Sequence, residues 1–307
     1  MYACTANEPQ RAGADSEMKS HLLKGSVALV AAVSIAASTS PGTATQVKAL
    51  VAASARIERL TATTAAVLAT VQADNASFVY KIPTKCLGSR TCVYGDTSSS
   101  RTVVLYGDSH ARMWLPAVIP FARAHKLRIL LVGADGCPVV TLPLPRVEFP
   151  GCAGVGPAAL ATIKGVRPFA VLVSNKTYAA AFTPAQWRAG MEATLKAIGG
   201  NVAIIGDVQQ LNLQPAPCLA TNPTAAQKCS VANPNLKSPG LESAERAAAR
   251  AEKAKYVDPT PWLCAKKCSV VIGNFIVYWN SGHVTVAYAS YLSRVMSAAL
   301  RPLLAKK

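Results

Sequence analysis

The chain has 307 residues, 51% of them hydrophobic and 15% charged, a composition that supports a sizeable core and excludes an intrinsically disordered chain. Its 32 Lys and Arg against 15 Asp and Glu give a net charge of +17, which suits anionic envelope polymers or lipid head groups. Aromatic residues make up only 6%, and no helix-turn-helix, zinc-finger or RRM signature occurs, which argues against nucleic acid as a partner.

At the N-terminus a short segment carrying Lys19 and Lys24 precedes an apolar run from Gly25 to Ala37 and a small, polar stretch from Ser38 to Ala44. That order predicts a secretory leader over residues 1–44, with cleavage after Ala44. Met18 is the expected start, because Glu8, Asp15 and Glu17 do not belong in a basic leader. The apolar run is shorter than the roughly 20 residues of a membrane span. An uncleaved anchor is the alternative. Either way, the rest of the chain is expected to be extracytoplasmic, secreted or envelope-associated.

The nine cysteines fit that compartment. Cys4 precedes the expected start, and the other eight form local pairs: Cys86 with Cys92, Cys137 with Cys152, Cys218 with Cys229, and Cys264 with Cys268. Short separations flanked by Pro and Gly suit loop-closing disulfides, although spacing leaves connectivity open. A zinc site is the competing reading. Cys264 and Cys268 lack a second closely spaced Cys or His pair, so no metal is expected.

Residues 45–85 are rich in Ala, Val, Leu and Thr and predict a helical extension packed outside the main domain or linking it to the envelope. The main domain is expected over 86–307. From Thr102 to Tyr106 the residues are β-branched, aliphatic or aromatic; Gly107-Asp108-Ser109 breaks the run before a helical pattern begins. Ser109 therefore sits at a helix N-terminus, where free backbone N–H groups and the helix dipole favour an oxyanion. A nucleophile and a plain N-cap are both compatible with that position.

A serine nucleophile needs a base, and histidine is the usual one. Of the four histidines, His21 lies in the expected leader and His125 at the expected C-terminus of the helix after Ser109. His110 is adjacent to Ser109 and reads as a packing or capping residue, because helix neighbours point about 100° apart. His283, after a strand-like run and before the last helix, remains as the candidate.

Strands are expected at Arg128 to Val132, Phe169 to Val173 and Asn201 to Ile205, with an amphipathic helix at Pro184 to Ile198. The alternation predicts an α/β fold, a three-layer α/β/α sandwich around a mainly parallel sheet, with the site beyond the carboxyl ends of its strands. Gln209 to Pro239 reads as a long loop holding Cys218 and Cys229, either a substrate rim or an insertion without chemistry.

Gly107-Asp108-Ser109-His110 after a strand, Gly136-Cys137-Pro138, Asp258 through Cys264 and Cys268, and His283 together resemble the SGNH (GDSL-like) hydrolase superfamily. More narrowly, the stretch from about Cys86 to the C-terminus resembles the extracytoplasmic SGNH domain associated with bacterial acyltransferase-3 proteins. The resemblance implies an oxyanion hole formed by the N–H groups of Ser109 and Gly136 with the Asn175 side chain, although the Gly-x-Asn-Asp pattern is absent around Asn175.

The family's Asp, three residues before the histidine, is Asn280 here. In a serine-protease triad the same change costs about 10⁴ in turnover by favouring the wrong imidazole tautomer. A dyad oriented by a backbone carbonyl, replacement by another acid such as Asp258, and a degenerate site are all open. Asp258 precedes Pro259 and lies near the Cys264 turn, which reads as structural. The resemblance implies a serine esterase or O-acyltransferase acting on acetyl or similar groups of envelope carbohydrate. It implies no cofactor; the partners are an acyl donor, an envelope glycan and a membrane acyltransferase-3 protein. The alternative is a catalytically degenerate envelope-binding or accessory domain.

Overall fold

The computed structural model describes residues 40–79, 82–88, 92–232 and 240–305; the expected leader up to residue 39 lies outside them. Capped amphipathic segments and short apolar runs alternate along the chain. Two helices come first, α1 (Ala44–Ser54) and α2 (Ala62–Val79), followed by short strands β1 (Lys85–Cys86) and β2 (Val93–Gly95). Next are β3 (Thr102–Gly107), α3 (Ser109–Met113), α4 (Leu115–Ala124), β4 (Arg128–Ala134), α5 (Val155–Val166), β5 (Ala170–Ser174), α6 (Pro184–Ile198) and β6 (Val202–Ile205). The remainder comprises α7 (Pro215–Thr221), β7 (Val231–Ala232), α8 (Leu241–Ala251), β8 (Lys255–Val257) and α9 (Thr260–Leu263). Short strands β9 (Lys267–Cys268), β10 (Val271–Ile272) and β11 (Phe275–Ile276) then lead to α10 (Val286–Tyr291) and α11 (Ser293–Leu300).

The central sheet runs β4-β3-β5-β6-β8, all parallel, with β1 and β2 antiparallel against β4. Every residue of β3 and β5 is buried, as parallel strands covered on both faces require. Successive residues of β3 point to opposite faces: Val103 and Leu105 enter the core beneath α4 and α11, Val104 and Tyr106 the core beneath α5, α6 and α8. The three-layer α/β/α architecture is the expected one. Because β4 and β5 leave β3 on opposite sides, the strand order reverses at β3, and a crevice opens beyond its carboxyl end.

Several elements differ from the sequence reading. The helix after Ser109 breaks at Trp114 and restarts as α4, whose second residue, Pro116, needs no N–H acceptor in a first turn. The loop expected from 209 to 239 contains α7, a 3₁₀ turn over Ala226–Cys229 and β7. α5, α8 and β8 were not anticipated. The N-terminal helices do not stand outside the domain: Val47, Val51 and Val71 join the larger core. Isolated helices of this length are marginal in water and gain stability from such packing. The four expected cysteine pairs are disulfides, Cys86–Cys92, Cys137–Cys152, Cys218–Cys229 and Cys264–Cys268.

Candidate active site

The site begins with a close approach of three strands. A Cβ on Gly107 would overlap the carbonyl oxygen of Ser174 on β5, and one on Gly133 of β4 would overlap the carbonyl of Gly107. Gly133 also has φ +131°, so only glycine suits this approach. β3 thus ends tightly between its neighbours. The turn that follows is held by Asp108, which caps α3 by accepting the His110 N–H at 2.8 Å. Its carboxylate also accepts the Lys176 N–H at 3.1 Å and the Tyr178 hydroxyl at 2.6 Å from the loop after β5. Asp108 is therefore the cap, and Ser109 is the first residue of α3.

His283 arrives from the other end of the chain. Its loop is closed by an antiparallel bridge between Tyr278 and Val284 and by the Trp279 N–H donating to the His283 carbonyl at 3.1 Å. Thr285 then caps α10 through the Tyr288 N–H. Two residues of α2 brace the loop: the Gln72 side chain donates to the Trp279 carbonyl, and Asn75 Oδ1 accepts the Val286 N–H, each at 2.8 Å. The Leu211 N–H, from the loop after β6, donates to the Ser281 carbonyl at 2.6 Å.

These supports bring His283 Nε2 to 2.8 Å from Ser109 Oγ. On the other side of the ring, Nδ1 is 3.0 Å from Asn280 Oδ1. That oxygen also accepts the backbone N–H groups of Gly282 and His283, both at 2.9 Å. Two backbone donors can face only the oxygen of an amide, so the Asn280 orientation is determined, and Nδ1 of His283 must be its third donor. Nε2 is left as an acceptor for the Ser109 hydroxyl. Asn280 thereby holds the tautomer a general base needs and lacks only the charge of the family's Asp.

The other candidates are placed differently. Gly136 lies in the turn after β4 with φ +71°, and a side chain there would meet open space. Asn175 is buried beside this turn, but its amide is engaged elsewhere: Oδ1 accepts the Val139 N–H at 3.3 Å and Nδ2 donates to Glu245 at 3.5 Å. Among the described residues no hydrogen bond joins Asn175 to Ser109 or His283. Asp258 accepts the Thr260 N–H and pairs with Arg246 on α8, a structural role. His125 terminates α4 as its C-cap, as expected.

Sequence reasoning missed a buried polar cluster behind the dyad. His110 does more than pack or cap: its ring lies 4.7 Å from that of His283, and its Nδ1 is 2.7 Å from Asp207 Oδ1. Asp207 follows β6 at the carboxyl edge of the sheet, where parallel strands converge on a site; an acid after an apolar run and Gly206 was the available signal. Burial works against a charge on His110, but Asp207, joined by Asp108, more than offsets it and raises the His110 pKa. Burial, joined by His110 and Arg112, lowers His283 to about 3, so the ring is neutral at ordinary pH.

With this geometry established, the chain belongs to the SGNH domain family fused to AT3 domains, whose family model matches residues 35–298. The match begins ahead of α1, in keeping with the packing of the N-terminal helices onto the main core. No curated protein sequence matches the chain. Among solved structures it is similar to the periplasmic domain of a lipopolysaccharide acetyltransferase from Salmonella ser. Paratyphi A. The TM-score is 0.51 at 16% identity, over 67% of this chain and 84% of that one. At that identity the likeness is one of fold.

Proposed function

We propose that this domain is a serine esterase or O-acyltransferase of the SGNH type, acting on acyl groups, chiefly acetyl, of cell-envelope carbohydrate. The observation that carries the reading is the 2.8 Å contact of Ser109 Oγ with His283 Nε2, with the opposite ring nitrogen held by Asn280. Ser109 attacks the acyl carbonyl carbon while its proton passes to His283 Nε2, giving a tetrahedral oxyanion and an imidazolium. The backbone N–H groups of Ser109 and Gly136 are proposed to hold the oxyanion, with Asn175 joining only if its amide leaves Glu245. Collapse of the intermediate expels the donor alcohol or thiol, which takes the His283 proton, and leaves an acyl-serine. A sugar hydroxyl, deprotonated by His283, then accepts the acyl group; water in its place makes the same site an esterase.

The family's association with AT3 domains supports a membrane acyltransferase-3 protein as the source of acyl groups. The same reading and the four disulfides support an extracytoplasmic location. One observation favours a second reading, a non-catalytic envelope-binding domain: the neutral Asn280 where the family carries Asp. Hydrolysis of a short-chain aryl acetate by the purified oxidised domain separates the two. Turnover lost in Ser109→Ala supports the enzyme; no turnover and no acyl-enzyme in the wild-type domain supports the binding domain.

A further inference from the structure

The dyad lacks an adjacent carboxylate to stabilise the imidazolium it forms, yet a buried one lies a single ring away. Asp207 Oδ1 accepts from His110 Nδ1 and the Val208 N–H, and Oδ2 accepts from the N–H and hydroxyl of Thr177. Both oxygens of Asp207 face donors from Val208 and Thr177, so the carboxylate is the acceptor and His110 Nδ1 carries the hydrogen between them. The same ring lies against His283, with centroids 4.7 Å apart and planes inclined by 57°.

Building on the dyad reading, we propose that His110 and Asp207 form a relayed counter-charge for His283, supplying through the intervening His110 ring the negative charge that Asn280 cannot. While His110 is neutral, the charge of Asp207 stabilises the imidazolium that His283 becomes on taking the Ser109 proton. Protonation of His110 cancels that charge and sets a cation against His283. Neither residue touches a reacting atom; both are positioning residues that act through His283.

The groups facing this pair come from several strand ends, from α8 and from the His283 loop. Asp108 and Arg112 flank it from the turn and helix after β3, Asp135 from the end of β4, Lys176, Thr177 and Tyr178 from the loop after β5, Glu245 from α8, and Tyr278 and Asn280 from the His283 loop. Asp108 reinforces the charge on His110 and Lys176 opposes it, but Asp207 dominates among the charges and keeps its pKa above the ordinary 6.5. Turnover is therefore expected to rise with pH through an inflection above 6.5, as His110 loses its Nε2 proton.

The test compares wild type, Asp207→Asn, Asn280→Asp and the double variant on an aryl acetate, with kcat and KM separated across the pH range. Asp207→Asn is expected to lower kcat by roughly tenfold to fiftyfold with KM kept, and to move the inflection to lower pH. In the Asn280→Asp background, where a carboxylate adjoins His283 directly, the same change should be nearly silent. Equal losses in both backgrounds, or no loss in either, overturn the proposal. If Asp207→Asn does not fold, His110→Gln keeps an N–H donor while removing the titration; persistence of the inflection in that variant also overturns it.

A titration of the ¹⁵N-labelled histidine rings by NMR needs no turnover. His110 should titrate above 6.5 in wild type and lower in Asp207→Asn, with the His283 signals moving in step. Independent titration of the two rings overturns the coupling. Absence of both ester hydrolysis and fluorophosphonate labelling at Ser109 instead overturns the dyad reading, and the NMR result still decides whether the rings are coupled.

Discussion

Asn280 Oδ1 accepts the Nδ1 proton of His283 at 3.0 Å while two backbone N–H groups, each at 2.9 Å, prevent the amide from turning. In a protease triad the Asp-to-Asn change is damaging because the amide can present its N–H and invert the imidazole tautomer. Here the loop geometry blocks that inversion, so what the substitution removes is charge. Asn280→Asp is expected to raise His283 from about 3 toward the neutral range, because a carboxylate favours the imidazolium. The acid limb of kcat/KM should move to higher pH, with turnover above it increased. Asn280→Ala, which frees the ring and orphans two donors, should lower turnover by about 10². A pH–rate profile of the three proteins checks both effects.

The link from α2 to the His283 loop gives a second expectation. Asn75→Ala removes the acceptor of the Val286 N–H at the start of α10. A loss of about 1–2 kcal/mol in stability is expected, with turnover reduced several-fold because His283 is held less tightly. Denaturant unfolding, together with hydrogen exchange at Val286, measures the two parts separately.

Glu245 bears on pH-dependent stability. Burial, assisted by the charge of Asp207, raises its pKa from the model-compound value of 4.5 to about 8, so the folded chain keeps a proton that the unfolded chain has released. Stability from this group is full below 4.5 and declines as pH rises to about 8. The slope is at most about 1.4 kcal/mol per pH unit. Glu245→Gln, which keeps a hydrogen-bonding amide beside Asn175 and Tyr256, should flatten that decline. Chemical denaturation of both proteins at pH values spanning the window tests it.

The Cys137–Cys152 disulfide closes the segment that follows Gly136, over a sequence separation of 15. Replacing both cysteines with serine is expected to cost about 2–4 kcal/mol, mainly by releasing the unfolded chain. Because Val139 in this segment donates to Asn175, the same change should loosen the Gly136 turn. Urea unfolding of the double serine variant, with turnover measured alongside, reports on both.

Much of the architecture was legible locally. The β-branched run into Gly107-Asp108-Ser109 announced the central strand and its turn, and the helix at Pro184–Ile198 was readable to its ends from its amphipathic period. α5 and α8 were harder. α5 begins after Gly154 and α8 after Gly240, each without a side-chain cap, so neither start carried a strong signal.

The sequence by itself determined the alternating α/β order and the assignment of Ser109 and His283 to one candidate site, and it pointed to local cysteine pairs while leaving their connectivity to the structure. Strand patterning, short spacings and the scarcity of histidine all act within a few residues or by elimination. Only the tertiary structure decided how the departure at Asn280 is accommodated, that His110 and Asp207 stand behind His283, and that Asn175 turns toward Glu245. Those outcomes depend on which carboxyl ends of parallel strands meet at the crevice and on backbone donors converging on one oxygen. Neither condition is written in any single stretch of sequence, because each joins groups from loops that the sheet alone brings together.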